Sequence, residues 1–290
     1  MMSNLNFVKQ DILKGSSKIF SDKEKISKIK YFKKYMQFNK TYLYKKQKSE
    51  TENYKLLQSI KEEFIQYRNA WNEQPNKIIK NFTNKEINKI NFKPLCVDLE
   101  ISSFCDLACP HCFREYIATP DKIMNIDFTK NLIDQIAELK IPSIKFNWRG
   151  EPLLHPRLPE IIDYAKSKGI IETIINTNAT HLNKTRGEQL IKSGLDYLIY
   201  SFDGGTKETY EKFRPGRFRK NNFDNVYKNI KDFYELKVKL KRKFPFTKIQ
   251  MVLMKETRNE IEQFYSNFND IVDEVSVTQY SERGGNIETV

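Results

Sequence analysis

Three cysteines stand close together in the run Cys105-Asp106-Leu107-Ala108-Cys109-Pro110-His111-Cys112, spaced Cys-x3-Cys-x2-Cys, and no cysteine follows them in the 290 residues. Thiolates are soft ligands that select zinc, Cu(I) or iron–sulfur clusters. A structural zinc site asks for four protein ligands. An iron–sulfur cube also has four corners, so three neighbouring thiolates leave one iron free to take a ligand from outside the protein. The fourth cysteine, Cys96, lies in the apolar run Pro94-Leu95-Cys96-Val97 and reads as a buried structural thiol.

The chain that must position this loop is rich in charge, with 30 % of its residues Asp, Glu, Lys or Arg. It has no apolar run long enough for a membrane span. Its N-terminus lacks the compact apolar segment of a signal peptide. The expected location is the cytoplasm, where clustered cysteines read as ligands before they read as disulfides. The net charge of +13 is uneven: residues 1–90 hold 20 Lys and Arg against 9 Asp and Glu, whereas residues 91–290 hold 30 against 28. Such a basic segment can attract nucleic acid or an anionic surface, and it can equally be a set of lysines solvating helix faces.

Residues 50–73 place Leu57, Ile60, Phe64, Tyr67 and Trp71 at steps of three and four, one apolar stripe on a helix that packs on its own domain. Pro75 is expected to end that helix. From Pro94 the pattern becomes strand alternating with helix. Strands are expected over 95–103, 141–148, 170–176, 196–203, 246–254 and 272–278. Helices are expected over 128–139 with Asp127 as its cap, 158–167 stopped by Gly169, 189–192 before Gly194, 223–236 and 261–268. The fourth strand, with Tyr197, Leu198, Ile199 and Tyr200 in nearly continuous apolar order, reads as buried on both faces. Lys237 to Lys243 reads as a solvated basic turn.

Six alternations of this kind imply parallel strands joined by right-handed crossovers. The fold class is therefore α/β: an open six-stranded parallel (β/α)6 partial barrel over residues 94–280. Residues 1–93 form a mostly helical, basic N-terminal extension, and 281–290 a short tail. Chemistry in such folds sits at the C-terminal ends of the strands. The three-cysteine loop, the Gly150-Glu151-Pro152 loop, the Asn176-Thr177-Asn178 turn and the Ser201-Phe202-Asp203-Gly204 turn all fall there.

At these four places the chain resembles the radical S-adenosylmethionine (radical SAM) superfamily. Cys105-x3-Cys109-x2-Cys112 after the first strand resembles its cluster motif. Asn147-Trp148-Arg149-Gly150-Glu151-Pro152-Leu153-Leu154-His155-Pro156 resembles its Gly-Gly-Glu loop, with Arg149 in place of the usual first glycine. Asn176-Thr177-Asn178-Ala179-Thr180-His181-Leu182 resembles its Thr-Asn-Gly turn, with Ala179 where glycine is usual. Ser201-Phe202-Asp203-Gly204 with Tyr210 and Arg214-Pro215-Gly216 resembles the SPASM-type subgroup.

The resemblance implies a [4Fe-4S] cluster held by Cys105, Cys109 and Cys112, with S-adenosyl-L-methionine chelated to the fourth iron. It implies that Glu151, with Pro152 in the same loop and the backbone of the Arg149–Gly150 turn, meets the methionyl ammonium. Arg214 clamps the methionyl carboxylate; Asn176, Asn178, Ser201 and Asp203 contact ribose or methionine; and His111 lies near the adenine. The residues themselves leave rivals: Arg214 as one member of a surface patch with Arg217, Arg219 and Lys220, and Asn178 and Asp203 as turn and cap residues.

The implied partners are an electron donor such as flavodoxin or ferredoxin and a peptide, sugar or other small-molecule substrate; nucleic acid is not an expected partner. No residue is implied as the catalytic one. SPASM-type proteins carry auxiliary clusters on later cysteines, so the cluster at Cys105–Cys112 is expected to be the only one in the chain. Two other classes stay open, a non-catalytic zinc module on Cys105, Cys109, His111 and Cys112, and a nucleic-acid-binding protein using the basic extension.

Overall fold

The structure, a computed structural model, describes residues 50–83, 93–117 and 120–280. The expectations for residues 1–49, 84–92 and 281–290 lie outside the described residues. Six strands, β1 (Cys96–Asp98), β2 (Ser143–Lys145), β3 (Glu172–Thr177), β4 (Tyr197–Ser201), β5 (Phe246–Leu253) and β6 (Glu274–Gln279), form one open sheet in sequence order. Every neighbouring pair is parallel. This is the open partial barrel read from the alternation.

The strand alternation sorts side chains between two environments. Ile144, Ile175, Leu198, Tyr200, Ile249, Met251, Val275 and Val277 face outward into the main core. There they pack under α2 (Ile126–Glu138), α3 (Leu158–Ser167), α4 (Lys184–Lys192), α6 (Phe223–Lys239) and α7 (Ile261–Phe268). The inner face is more polar. In β4 the buried residues are Leu198 and Tyr200, while Tyr197, Ile199 and Ser201 are only half-buried. The expectation that β4 is buried on both faces is therefore corrected: its inner-face side chains are only half-buried.

Helix ends follow local chemistry. The cap of α2 is Asn125 rather than Asp127; its side chain accepts from the Asp127 and Phe128 N–H groups, the usual role of an N-cap. Asp127 sits in the first turn instead, where the helix dipole favours a carboxylate. Gly169 and Gly194 have φ of +89° and +82° after α3 and α4, the left-handed angle that glycine adopts without strain. A short helix, α5 (Lys207–Phe213), follows β4. Helix α6 runs to Lys239, so Lys237 is no part of a solvated turn; it is buried and pairs with Asp273 at 2.9 Å.

A long helix, α1 (Glu50–Thr83), carries the apolar stripe and runs through Pro75. The proline removes one backbone donor but does not end the helix, and Glu73 and Lys77 pair across it at 2.8 Å. Phe64 and Tyr67 are buried against Phe244, Phe246, Leu95, Ile171 and Tyr197, residues at or just before the starts of strands. The Tyr67 hydroxyl reaches Ser143 Oγ at 3.2 Å and Glu172 Oε2 at 2.8 Å, and Arg68 lies 3.5 Å from the same carboxylate. Helix α1 thus lies across the N-terminal end of the sheet, opposite the rim that carries the motifs. No helix among the described residues is long and apolar enough to cross a membrane.

Candidate functional site

The cysteine loop leaves the first strand and is held from three sides. Inside it, the Cys112 N–H donates to the Cys109 carbonyl at 2.9 Å. From the β3 side, Asp106 accepts from Asn178 Nδ2 at 2.8 Å and Thr180 Oγ1 at 2.7 Å, with His181 Nε2 at 3.3 Å. From the β4 side, Leu107 forms an antiparallel bridge with Gly216. Beside that bridge, Ala108 N–H donates to Pro215 O at 2.9 Å and Arg217 N–H to Asp106 O at 2.8 Å. Gly216 has no room for a side chain, since a Cβ there would stand 1.7 Å from Arg219 O.

The third hold is electrostatic. His111 Nε2 is 3.0 Å from Asp203 Oδ2, and the Arg214 guanidinium is 2.6 Å from the same oxygen. The Val252 N–H donates to the other oxygen at 2.7 Å. Burial by itself would raise the Asp203 pKa, but the charge of Arg214 and the bond from His111 hold it at about 2. Arg214 is buried, which overturns its reading as a surface arginine. Its pKa rises despite burial, because Asp203 and Cys109 favour its charge.

The Gly-Glu-Pro loop lies directly behind the start of the cysteine loop. A Cβ on Gly150 would stand 2.0 Å from Ser102 O, so only glycine fits. Glu151 N–H donates to Phe104 O at 2.8 Å. The Glu151 carboxylate is buried and accepts from Thr177 Oγ1 at 2.6 Å, Asn178 N–H at 2.7 Å and Leu153 N–H at 3.0 Å. Burial raises its pKa to about 7 against the pull of those donors. Pro152 is buried in the short turn that Glu151 caps.

Arg149 is anchored on the segment just after β1. Its backbone N–H and its guanidinium both donate to Glu100, at 2.7 and 2.9 Å. In the β3 turn Ala179 takes φ +60°, the left-handed angle of the glycine it replaces. The Asn178 side chain is used within the protein, donating to Asp106 and accepting from Thr180. Asn176 and Ser201 are half-buried on the inner face. The Asn176 side-chain oxygen and His111 Nδ1 are buried and have no hydrogen-bond partner among the described residues.

Sequence reasoning missed Asp106, Glu100, Thr177 and Thr180, which hold the motif residues in place. Asp106 stood within the motif, hidden by the cysteines around it. Glu100 was marked by its alternation with the apolar Leu99 and Ile101.

A family profile described as the radical SAM superfamily matches residues 99–267, more than half of the chain. The chain belongs to the radical SAM superfamily. It is 32 % identical over 135 residues to GTP 3',8-cyclase of Chlorobaculum tepidum, covering 46 % of this chain and 39 % of the cyclase. It is 32 % identical over 145 residues to Fe-coproporphyrin III synthase of Methanosarcina barkeri, covering 50 % of this chain and 35 % of the synthase. These matches span well under half the length of either relative. Among solved structures, Streptococcus suis SuiB bound to precursor peptide SuiA aligns with a TM-score of 0.56 at 22 % identity, over 75 % of this chain and 47 % of SuiB. The latter likeness is one of fold.

The radical SAM chain's own residues fit the group that the superfamily implies. The three thiols share one neighbourhood. Burial raises the Cys105 pKa, and Glu151 and Cys109 raise it further. Burial pushes Cys109 up to about 12, with Arg214 opposing and Cys112 adding to it. Thiols that disfavour one another's charge are relieved by a cationic group that takes all three as thiolates. A cluster binds each thiolate at a separate iron. A single zinc ion would ask for a fourth protein ligand beside the three thiols. The zinc reading also loses His111, which is bound to Asp203. The two unpartnered buried atoms are acceptors once His111 donates through Nε2, the tautomer that its contact with Asp203 favours, and S-adenosylmethionine offers ammonium, hydroxyl and amino donors.

Proposed function

We propose that this chain is a radical SAM enzyme that holds one [4Fe-4S] cluster on Cys105, Cys109 and Cys112 and binds S-adenosylmethionine against it. When bound and reduced, the cluster supplies the electron that breaks the 5'-carbon–sulfur bond of the sulfonium, giving methionine and a 5'-deoxyadenosyl radical for hydrogen abstraction. The residues bind, orient and exclude water. Glu151 offers a buried carboxylate to the methionyl ammonium, a charge-assisted hydrogen bond. Arg214 and Asp203 fix the far side of the cysteine loop. Asn176, Ser201 and His111 present polar atoms to the ribose and adenine, and the Arg149–Gly150–Pro152 turn sets the height of Glu151.

The observation that carries this reading is the joining of the cysteine loop to three other strand ends, through Asp106–Asn178, Leu107–Gly216, His111–Asp203 and Phe104–Glu151. These ties hold the cysteine loop against the other three motifs. The substrate class is a peptide or a sugar or other small molecule, the reductant a flavodoxin or ferredoxin, and the subgroup SPASM-type.

Anaerobic reconstitution with iron and sulfide, reduction with dithionite and addition of S-adenosylmethionine should yield 5'-deoxyadenosine. Cys109→Ala should lose both cluster and product, and product persisting in that variant would sink the reading. Glu151→Ala should keep the cluster and weaken S-adenosylmethionine binding by roughly 1.5–3 kcal/mol, as for a hydrogen bond to a charged group.

A further inference from the structure

The outer face of the cysteine loop is thin, apolar at its centre and basic at its edge. Phe104, next to Cys105, packs against Phe218 with ring centroids 5.7 Å apart, and Phe218 is 65 % exposed. Arg217 lies over the Phe218 ring at 5.0 Å and pairs with Asp121 at 2.7 Å. The segment after Asp121 runs alongside Ser103, whose N–H donates to Lys122 O at 2.9 Å. Ile123, bridged to Ser102, is 46 % exposed. Arg219, Lys220 and Lys122 are exposed around this apolar centre. Within this face Asp121 pairs with Arg217, Glu211 with Lys220, and Glu115 with the buried Arg114. Residues 91–290 as a whole are nearly balanced, with 30 basic and 28 acidic side chains, so the basic surplus here is local.

We propose that this face is the docking surface for an acidic one-electron-donor protein of flavodoxin type, on the reading that Cys105, Cys109 and Cys112 hold the cluster. The transfer moves one electron from the donor's reduced flavin to the cluster and makes or breaks no bond. It needs the two centres close, and Phe104, at the centre of this face, is the residue that precedes Cys105. An apolar centre ringed by cations suits a transient partner of opposite charge, whose encounter rate rather than tight binding is what the charges govern.

The test loads wild-type and variant proteins with the cluster and follows its bleaching in anaerobic stopped flow, with either pre-reduced flavodoxin or dithionite as reductant. In the Arg219→Glu/Lys220→Glu variant the flavodoxin-driven rate should fall about tenfold or more at low salt, and dithionite reduction should be unchanged. Phe218→Ser should lower the flavodoxin rate alone, and the wild-type rate should drop as salt is added. A flavodoxin rate untouched by charge reversal, a rate flat in salt, or an equal loss with both reductants overturns the surface. A wild-type protein that takes up no cluster overturns the reading beneath it, and the surface with it.

Discussion

The Arg214 guanidinium lies 2.6 Å from the Asp203 carboxylate, and both side chains are buried. The turn after β4 thus carries its own countercharge, brought back by the seven residues of α5. Glu260 fixes that helix by accepting from the Gly205 and Thr206 N–H groups and from Thr209 Oγ1, at 2.7, 3.1 and 2.5 Å. Because Asp203 also meets His111, one neutralised pair sets where the middle of the cysteine loop sits.

Breaking that pair should be costly, and removing both charges less so. Asp203→Asn keeps the shape but leaves Arg214 buried without a counterion, an error worth roughly 3–5 kcal/mol. Adding Arg214→Met removes the stranded charge, and the double variant should recover part of the loss. Urea unfolding of the cluster-free proteins measures both. Costs that simply add would show that the two residues are not coupled.

The glycine at position 150 has a different role, which is to let two backbones touch. Gly150→Ala drives a methyl group toward Ser102 O, where no flexible side chain can yield. The Glu151 loop must then move away from Phe104, at a cost on the order of 3 kcal/mol, the upper end for overpacking. Iron content after reconstitution should stay near wild type while S-adenosylmethionine affinity, measured by equilibrium dialysis, falls. An unchanged affinity would separate the Glu151 loop from that ligand.

Tyr67 offers a control at the opposite end of the sheet. Tyr67→Phe removes a buried hydroxyl from Ser143 and Glu172, leaving the carboxylate with Arg68. A loss of about 1.5–3 kcal/mol is expected for removing a hydrogen bond to a charged group. Neither cluster uptake nor S-adenosylmethionine binding should change. A binding defect in this variant would mean that α1 reaches the rim through the barrel.

The strands, the helix order and the four rim motifs were legible because each writes a local pattern, period two, period three to four, or closely spaced ligands. What stayed hidden depended on partners distant in sequence. Nothing near Lys237 announces Asp273, which turns a nominal loop lysine into a buried pair. Arg214 sits in a run with Arg217, Arg219 and Lys220, and only the fold separates the buried one from the others. Pro75 misled for the opposite reason: a strong local signal to stop did not end the helix, which runs on to Thr83. Ala179 concealed a glycine-like turn, because its conformation is imposed by the bonds around it, including Ala179 N–H to Thr177 Oγ1 at 2.9 Å.

Glu151 should leave a signature in the pH dependence of stability. Burial raises its folded-state pKa to about 7, whereas an unfolded glutamate titrates near ~4.3. Between these values the unfolded chain has released the proton and the folded chain still holds it, so stability falls as pH rises. The contribution is fully present below the unfolded pKa and is lost as pH passes through the folded one. At about 1.4 kcal/mol per pH unit, the loss is on the order of 4 kcal/mol. Glu151→Gln cannot titrate, so it should remove most of that slope; its one oxygen can serve the Thr177 hydroxyl and Leu153 N–H or the Asn178 N–H but not both sides, so the variant should also be less stable at every pH. Urea midpoints of the cluster-free proteins between about pH 4.5 and 7.5 compare the two. Parallel profiles for wild type and variant would place the titration elsewhere and leave Glu151 ionised throughout.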